Sequence, residues 1–130
     1  MSTYREIAER VNRVKPHAFD EETVLYWLTE LDGMLAAEVF LMDVNQIAQL
    51  QHRFPEGLEH EPLVGFPYEG IYDAWVKAKI DLENGEYDKY QNQMAAYNSM
   101  LKSFKNWFLN TYDPAQGYMR EAEEYAEEDV

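Results

Sequence analysis

The residues best suited to metal chemistry are two histidines and three glutamates that fall close together in the middle of the chain. His52 and His60 stand among Glu56, Glu59 and Glu61, and imidazole and carboxylate groups are common metal ligands. Their spacing does not place two histidines one helical turn apart, as compact metal-binding motifs do. We therefore interpret this cluster as part of a solvated loop, and we expect no metal or other cofactor.

Carboxylates are the next groups with catalytic potential, since the chain has 25 acidic side chains. Close pairs include Glu30 with Asp32 and Asp81 with Glu83, but residues two apart on a helix point to different faces. A general acid–base pair needs two carboxylates held across a cleft, one of them desolvated. The sequence also shows neither a glycine-rich phosphate loop nor a nucleophile elbow. We interpret the acidic pairs as solvated surface and predict that the protein is not an enzyme.

Length and charge limit the remaining possibilities. A chain of 130 residues with 46% hydrophobic content is typical of one globular domain. Its formal net charge is −14 and is spread out, with 13 acids against 5 bases in residues 1–70 and 12 against 6 in residues 71–130. Such a surface would repel duplex DNA and anionic membranes. The absence of cysteine excludes disulfides and zinc ribbons, and we expect a soluble protein without a classical signal peptide or a membrane-spanning segment.

Hydrophobic periodicity predicts an all-α fold of about four helices. A first short helix is capped by Ser2 or Thr3 and stopped by Pro16. Asp20 is the expected N-cap of a second helix. Its apolar residues recur at steps of four and three, which predicts a helix over 21–42: Val24, Leu28, Leu31, Leu35, Val39 and Met42.

The last two helices are predicted to form a C-terminal hairpin. Pro67 begins the third helix, and Asn84-Gly85 either turns the chain or ends that helix in a left-handed cap. The fourth helix opens at Glu86 and runs to about Thr111. Its apolar stripe is expected to be core and to pack against the second helix: Tyr87, Tyr90, Met94, Tyr97, Leu101, Phe104 and Phe108.

Between the second and third helices lies a long irregular connection at about 43–66, which holds two of the five prolines. It has room for a short helix over 44–53 and for a short strand or extended arm over 58–66. Connections of this length inside a domain are usually functional or disordered. We predict a single helical domain over 1–113 that includes this connection. Residues 114–130 are expected to form an acidic tail or a frayed helix through Tyr118, Ala122 and Tyr125.

The aromatic content points to association with other proteins, because tyrosine and tryptophan bury a large area while keeping one polar end. The chain has ten tyrosines, and many fall on or beside the hairpin. The simpler alternative is a core with aromatic edges. Our candidate interface residues come from the connection and the start of the hairpin: Phe54, Leu58, Leu63, Phe66, Tyr68 and Tyr72.

Several short motifs give the chain a resemblance to a known group. They are Pro67-Tyr68, Ile71-Tyr72, Asn84-Gly85-Glu86-Tyr87 and Tyr90-Gln91-Asn92, with Arg10-Val11, Lys15-Pro16 and Trp27-Leu28-Thr29-Glu30-Leu31-Asp32-Gly33 in the N-terminal half. On these residues the chain resembles, over roughly 5–113, a family of small proteins of tailed bacteriophages and prophages. Those proteins look like head-tail connector proteins, also called head completion or adaptor proteins. The chain departs from the family in its longer, histidine-bearing segment at 43–65 and in its acidic extension after Asp113.

The resemblance implies a structural virion protein that forms a ring of about a dozen copies beneath the portal. Its implied partners are other copies of itself, the portal protein and the next neck or tail-completion protein. DNA would pass through the ring without specific binding. The implied locations are the neck of the virion and, during assembly, the host cytoplasm. The alternative is an acidic phage-encoded inhibitor that mimics DNA and blocks a host nucleic-acid-binding enzyme, because spread negative charge is what such a mimic requires.

Overall fold

The computed structural model describes residues 2–113 and 118–119, and helices dominate this part of the chain. Its α-helices are α1 Tyr4–Val14, α2 Glu21–Glu38, α3 Val44–Ala48, α4 Gly70–Glu83 and α5 Tyr87–Thr111, with a 3₁₀ turn at Glu56–Glu59. Two-residue strands, β1 Tyr112–Asp113 and β2 Tyr118–Met119, pair antiparallel after α5. The predicted all-α fold class is confirmed. The predicted tail at 114–130 lies outside the described residues, except for Tyr118–Met119.

The first two helices begin at side chains that satisfy free backbone N–H groups. The Thr3 hydroxyl accepts a hydrogen bond from the Glu6 N–H, and the Glu6 carboxylate accepts one from the Thr3 N–H, which makes a capping box. The Asp20 carboxylate likewise accepts from the Thr23 N–H at 2.8 Å. The start of α2 agrees with the prediction, and Thr3 is the cap of α1.

The hairpin between α4 and α5 closes through a left-handed cap. Gly85 has φ +76° and follows the last helical residues of α4. The Gly85 N–H donates to the Leu82 carbonyl at 3.1 Å, and the Glu86 N–H donates to the Asp81 carbonyl at 2.9 Å. These two bonds form a Schellman motif, in which glycine avoids the steric cost of positive φ. The predicted role of Asn84-Gly85 is confirmed.

The core is organised around α4, which packs against α1, α2 and α5. Ion pairs tie α1 to α4: the Arg10 guanidinium donates to both oxygens of Asp73 at 2.6 and 2.7 Å, and the Lys15 ammonium lies 2.8 Å from the buried carboxylate of Asp81. On the other side, the buried Trp75 indole donates to the Trp27 carbonyl of α2 at 3.0 Å. Helix α4 thus separates most of α5 from α2.

This arrangement corrects the expectation that the α5 stripe packs against the second helix. Helix α5 packs along α4 instead, and of the stripe only Tyr97 and Phe104 are buried. Tyr87, at the start of the stripe, is 63% exposed. The reason is that α4 is apolar on more than one face, so it fills the position between the other two helices.

Two helix boundaries and one predicted short element also differ from the sequence prediction. Helix α2 ends at Glu38 rather than near Met42, because the backbone turns at Leu41, which has φ 53°. Helix α4 begins at Gly70 rather than at Pro67, since a turn in which the Tyr68 N–H donates to the Gly65 carbonyl precedes it. Residues 58–66 form no strand: residues 58 and 59 belong to the 3₁₀ turn, and Leu63 and Val64 are held by hydrogen bonds to core side chains.

Candidate interaction surface

A buried polar cluster fixes the end of the long connection. The Asp32 carboxylate of α2 accepts hydrogen bonds from the Tyr4 hydroxyl, from the Tyr72 hydroxyl at 2.6 Å and from the Leu63 N–H at 3.2 Å. The Tyr72 hydroxyl in turn accepts from the Val64 N–H at 2.9 Å. We call these five residues the Asp32 cluster. It joins α1, α2, α4 and the connection at one point.

The electrostatics of the Asp32 cluster suit a fixed structural contact. Burial raises the pKa of Asp32 above its ordinary value, against the lowering effect of the hydrogen bonds that its carboxylate accepts. Burial, followed by the nearby Asp32 charge, raises the pKa of the Tyr4 and Tyr72 hydroxyls, so both remain protonated donors. These three side chains are at most 1% exposed, so a substrate cannot reach them. The cluster therefore holds the Leu63 and Val64 backbone in place.

Residues 63–66 also form one side of an apolar groove of about 460 Å³, which we call the aromatic groove. None of the described residues that line it carries a formal charge. Three segments contribute the lining: residues 63–66 with Tyr68 from the connection, Phe40 and Met42 after α2, and Phe104, Trp107, Phe108 and Thr111 from α5. A volume of this size is typical of ligand or side-chain binding sites.

Aromatic contacts hold the walls of this groove together. The rings of Phe40 and Phe108 meet edge to face with centroids 5.0 Å apart. Tyr68 lies 5.6 Å from both Phe104 and Trp107, measured between ring centroids. Such contacts contribute about 0.5–1.5 kcal/mol each beyond simple burial. The walls of the groove are therefore formed within the chain itself.

The structure brings three of the six candidate interface residues together at this groove: Leu63, Phe66 and Tyr68. Phe66 is 88% exposed, the largest exposure among the large hydrophobic side chains of the described residues. Two other candidates were wrong, because Leu58 and Tyr72 are 1% and 0% exposed. Leu58 enters the core from the 3₁₀ turn, and the Tyr72 hydroxyl is held by the Asp32 cluster.

The sixth candidate, Phe54, lies on a second surface with Tyr26 of α2; these side chains are 42% and 59% exposed. We call it the Tyr26–Phe54 surface. It also includes His52, whose ring stacks on that of His60 at 3.9 Å between centroids. Partial burial, and then the neighbouring His60, lower the pKa of His52. Among the described residues, no three His, Asp or Glu side chains are grouped so that they could hold a metal ion.

Sequence reasoning missed the residues that complete the aromatic groove. Phe104 and Phe108 were assigned to a stripe covered by α2, and Phe40 and Trp107 were not assigned to a surface. A usable signal was present, since Trp107 stands one position before Phe108 and therefore outside the stripe. A large aromatic side chain next to an apolar stripe widens the apolar face beyond what one neighbouring helix can cover.

Sequence reasoning also placed Asp32 and Asp81 on the solvated surface, whereas both are 0% exposed. For Asp32 the signal was its position four residues after Leu28, which puts it on the buried face of α2. A carboxylate on an apolar face predicts buried hydrogen-bond donors nearby. The sequence gives no direct indication of which donors these are.

Comparison with known proteins identifies no family: no protein-family model, curated protein or solved structure matches the chain. Within the described residues, no helix has both the length and the hydropathy to cross a bilayer. A functional proposal therefore rests on the surfaces of this chain and on the sequence motifs described above.

Proposed function

We propose that this protein is a structural component of a phage virion, a head-tail connector that assembles as a ring beneath the portal, and that it has no enzymatic activity. The observation that carries the proposal is the aromatic groove. Its described lining is uncharged although the chain has a net charge of −14, and its rim exposes Phe66 and Trp107 at 88% and 45%. Exposed apolar patches with polar surroundings are typical of protein–protein contacts.

Two separate surfaces let one copy contact more than one kind of partner. In a ring beneath the portal, each copy contacts both its neighbouring copies and another neck protein. The aromatic groove lies beyond the carboxyl end of α2, whereas the Tyr26–Phe54 surface lies along that helix. Tyr26 and Glu38 are separated by about 18 Å along the helix axis, at a rise of 1.5 Å per residue. Each surface can therefore face a different neighbour.

The charge predicts how such a ring would assemble. Copies with a formal charge of −14 repel one another, and this repulsion is strongest at low ionic strength. A ring is then favoured only where a partner supplies compensating contacts, so we expect isolated chains to be monomeric at low salt and to assemble on the portal. An acidic inner wall would repel the DNA phosphates, so DNA would pass through the ring without binding to it.

Co-expression with the portal protein encoded alongside it tests this proposal. Negative-stain microscopy of the purified complex should show a ring added to the portal. Phe66→Ala should weaken this assembly, and Val44→Ala is the matched control, because Val44 is 80% exposed and does not line the groove. Persistent monomers without portal binding would reject the connector. Competition with DNA for a nucleic-acid-binding enzyme would instead support the DNA-mimic alternative.

A further inference from the structure

We propose that the aromatic groove binds an amphipathic helix of a partner protein, whose apolar face enters the groove and whose flanks carry lysine or arginine. This inference rests on the proposed function in taking the partner to be a neck protein, but the groove's chemistry can be tested without one. Three properties of the groove support it: the spacing of its apolar wall, the state of its backbone groups and the charges around it.

The α5 wall has the dimensions of a helix-binding site. Phe104, Trp107, Phe108 and Thr111 follow one another at helical spacing and line the groove over about 10 Å along the helix axis. That length is close to two helical turns, which is the distance covered by anchor residues at positions i, i+3, i+4 and i+7 of an amphipathic helix. With about 460 Å³ of space, the groove has room for more than one large apolar side chain.

The backbone along the opposite wall favours a helix over an extended peptide. The Leu63 and Val64 N–H groups donate inward to Asp32 and Tyr72, and the Gly65 carbonyl accepts from the Tyr68 N–H. Both N–H groups are used within the chain and cannot pair with an added strand. An extended peptide would therefore bury unpaired N–H and carbonyl groups in an apolar site. A helix satisfies its own backbone and avoids this cost.

The charges around the groove favour basic flanks. The acids Glu38, Asp43, Glu61 and Glu69 lie within two residues of lining residues in the sequence, and so do the bases Lys102 and Lys105. Acids therefore outnumber bases locally as well as over the whole chain. The carboxyl ends of both α2 and α5 also meet at the groove, and helix C-termini attract cations. A second copy of this chain fits these conditions poorly, because it also has a net charge of −14 and would be repelled.

Fluorescence titration with a synthetic peptide tests the proposal directly. The probe is an amphipathic peptide of about 18 residues built from leucine and lysine, and its control replaces every lysine by glutamate. Trp107 is 45% exposed, whereas Trp27 and Trp75 are 6% and 8% exposed. A blue shift of tryptophan emission therefore reports on Trp107. We expect saturable binding of the lysine peptide, weakened roughly tenfold or more at high salt, and no binding of the glutamate peptide.

Two alanine variants distinguish binding in the groove from general attraction to an acidic protein. Phe66→Ala should weaken peptide binding about tenfold, because a large anchor is removed from the rim. Phe54→Ala, on the Tyr26–Phe54 surface, should leave binding unchanged. Equal affinity in both variants would overturn the proposal, and so would saturable binding of the glutamate peptide.

Other outcomes separate this inference from the connector proposal. If the chain ignores the lysine peptide but forms dimers that depend on Phe66, the occupant of the groove is a second copy and the inference is wrong. A ring on the portal without peptide binding would retain the connector and reject the basic helix. Peptide binding that depends on Phe66, without a ring on the portal, would retain the helix-binding groove and reject the connector.

Discussion

Replacing Asp32 by alanine tests whether the Asp32 cluster holds the wall of the groove in place. The substitution removes the acceptor of the Tyr4 hydroxyl, the Tyr72 hydroxyl and the Leu63 N–H. Each buried donor left without a partner costs about 1–3 kcal/mol, so the three together could cost roughly 3–9 kcal/mol. Removing a buried carboxylate also recovers its desolvation cost. We therefore expect the free energy of unfolding to fall by about 3–5 kcal/mol.

Asparagine at the same position separates hydrogen bonding from charge. Asp32→Asn keeps the size of the side chain and one acceptor oxygen but cannot ionise. Burial raises the pKa of Asp32, so the folded chain binds this proton more tightly than the unfolded chain does. The stabilising contribution is fully present below the ordinary value of 3.8 and is lost as pH rises through the raised folded value. Stability should therefore shift in favour of the asparagine variant between low and neutral pH.

Urea unfolding followed by circular dichroism measures both effects. The wild type and the two variants are compared at several pH values between acidic and neutral. The slope of each unfolding transition should stay the same, as a two-state comparison requires. The alanine variant should also bind the lysine peptide more weakly, because residues 63 and 64 lose their anchor. A loss below about 1 kcal/mol for alanine would refute the reasoning. An asparagine variant that follows the wild type at every pH would refute its electrostatic part.

Three further substitutions have expected outcomes. Leu41→Gly should raise the free energy of unfolding by about 0.5–1 kcal/mol in thermal melts, because Leu41 has φ 53° and an exposed side chain; a lower melting temperature would contradict this. Trp75→Ala should lower it by about 3–5 kcal/mol, since a buried indole bonded to the Trp27 carbonyl is lost. Trp75→Phe should cost less, and an unchanged melting temperature in the alanine variant would contradict the core role of Trp75. Burial raises the pKa of Tyr97 to about 12, so stability from this group is lost as pH rises through that value. Tyr97→Phe should therefore move alkaline unfolding, followed by ultraviolet absorbance, to higher pH, and an unchanged midpoint would count against this role.

The parts of the fold that sequence predicts well are encoded by residues close together in the chain. Thr3 and Asp20 cap helices through N–H groups three residues further on. Gly85 ends α4 because its positive φ is costly for other residues. In each case the signal and its physical effect lie within one turn of helix, so no knowledge of tertiary packing was needed.

The groove and the Asp32 cluster could not be predicted, because they depend on distant residues. Asp32 meets Tyr4 and Tyr72 across sequence separations of 28 and 40 residues. The groove likewise combines Phe40, Phe66 and Trp107, which lie on three different segments. Composition indicated that aromatic residues would be exposed somewhere, and the structure places Leu63, Phe66 and Tyr68 on one surface. Whether Leu58 and Tyr72 are exposed depends on how the 3₁₀ turn and α4 pack in the core, which the sequence does not show.

The Asp32 cluster also sets when the core can be completed during protein synthesis. Its members extend from Tyr4 of α1 to Tyr72 of α4. The contacts of α1 with the cluster are therefore incomplete until α4 has left the ribosome. At a synthesis rate of about 5–20 residues per second, that delay is roughly 3–14 s. Throughout it the apolar side chains of α1, including Ile7 and Val11, lack their final cover. The apolar face of α1 therefore stays uncovered for several seconds before the groove can form.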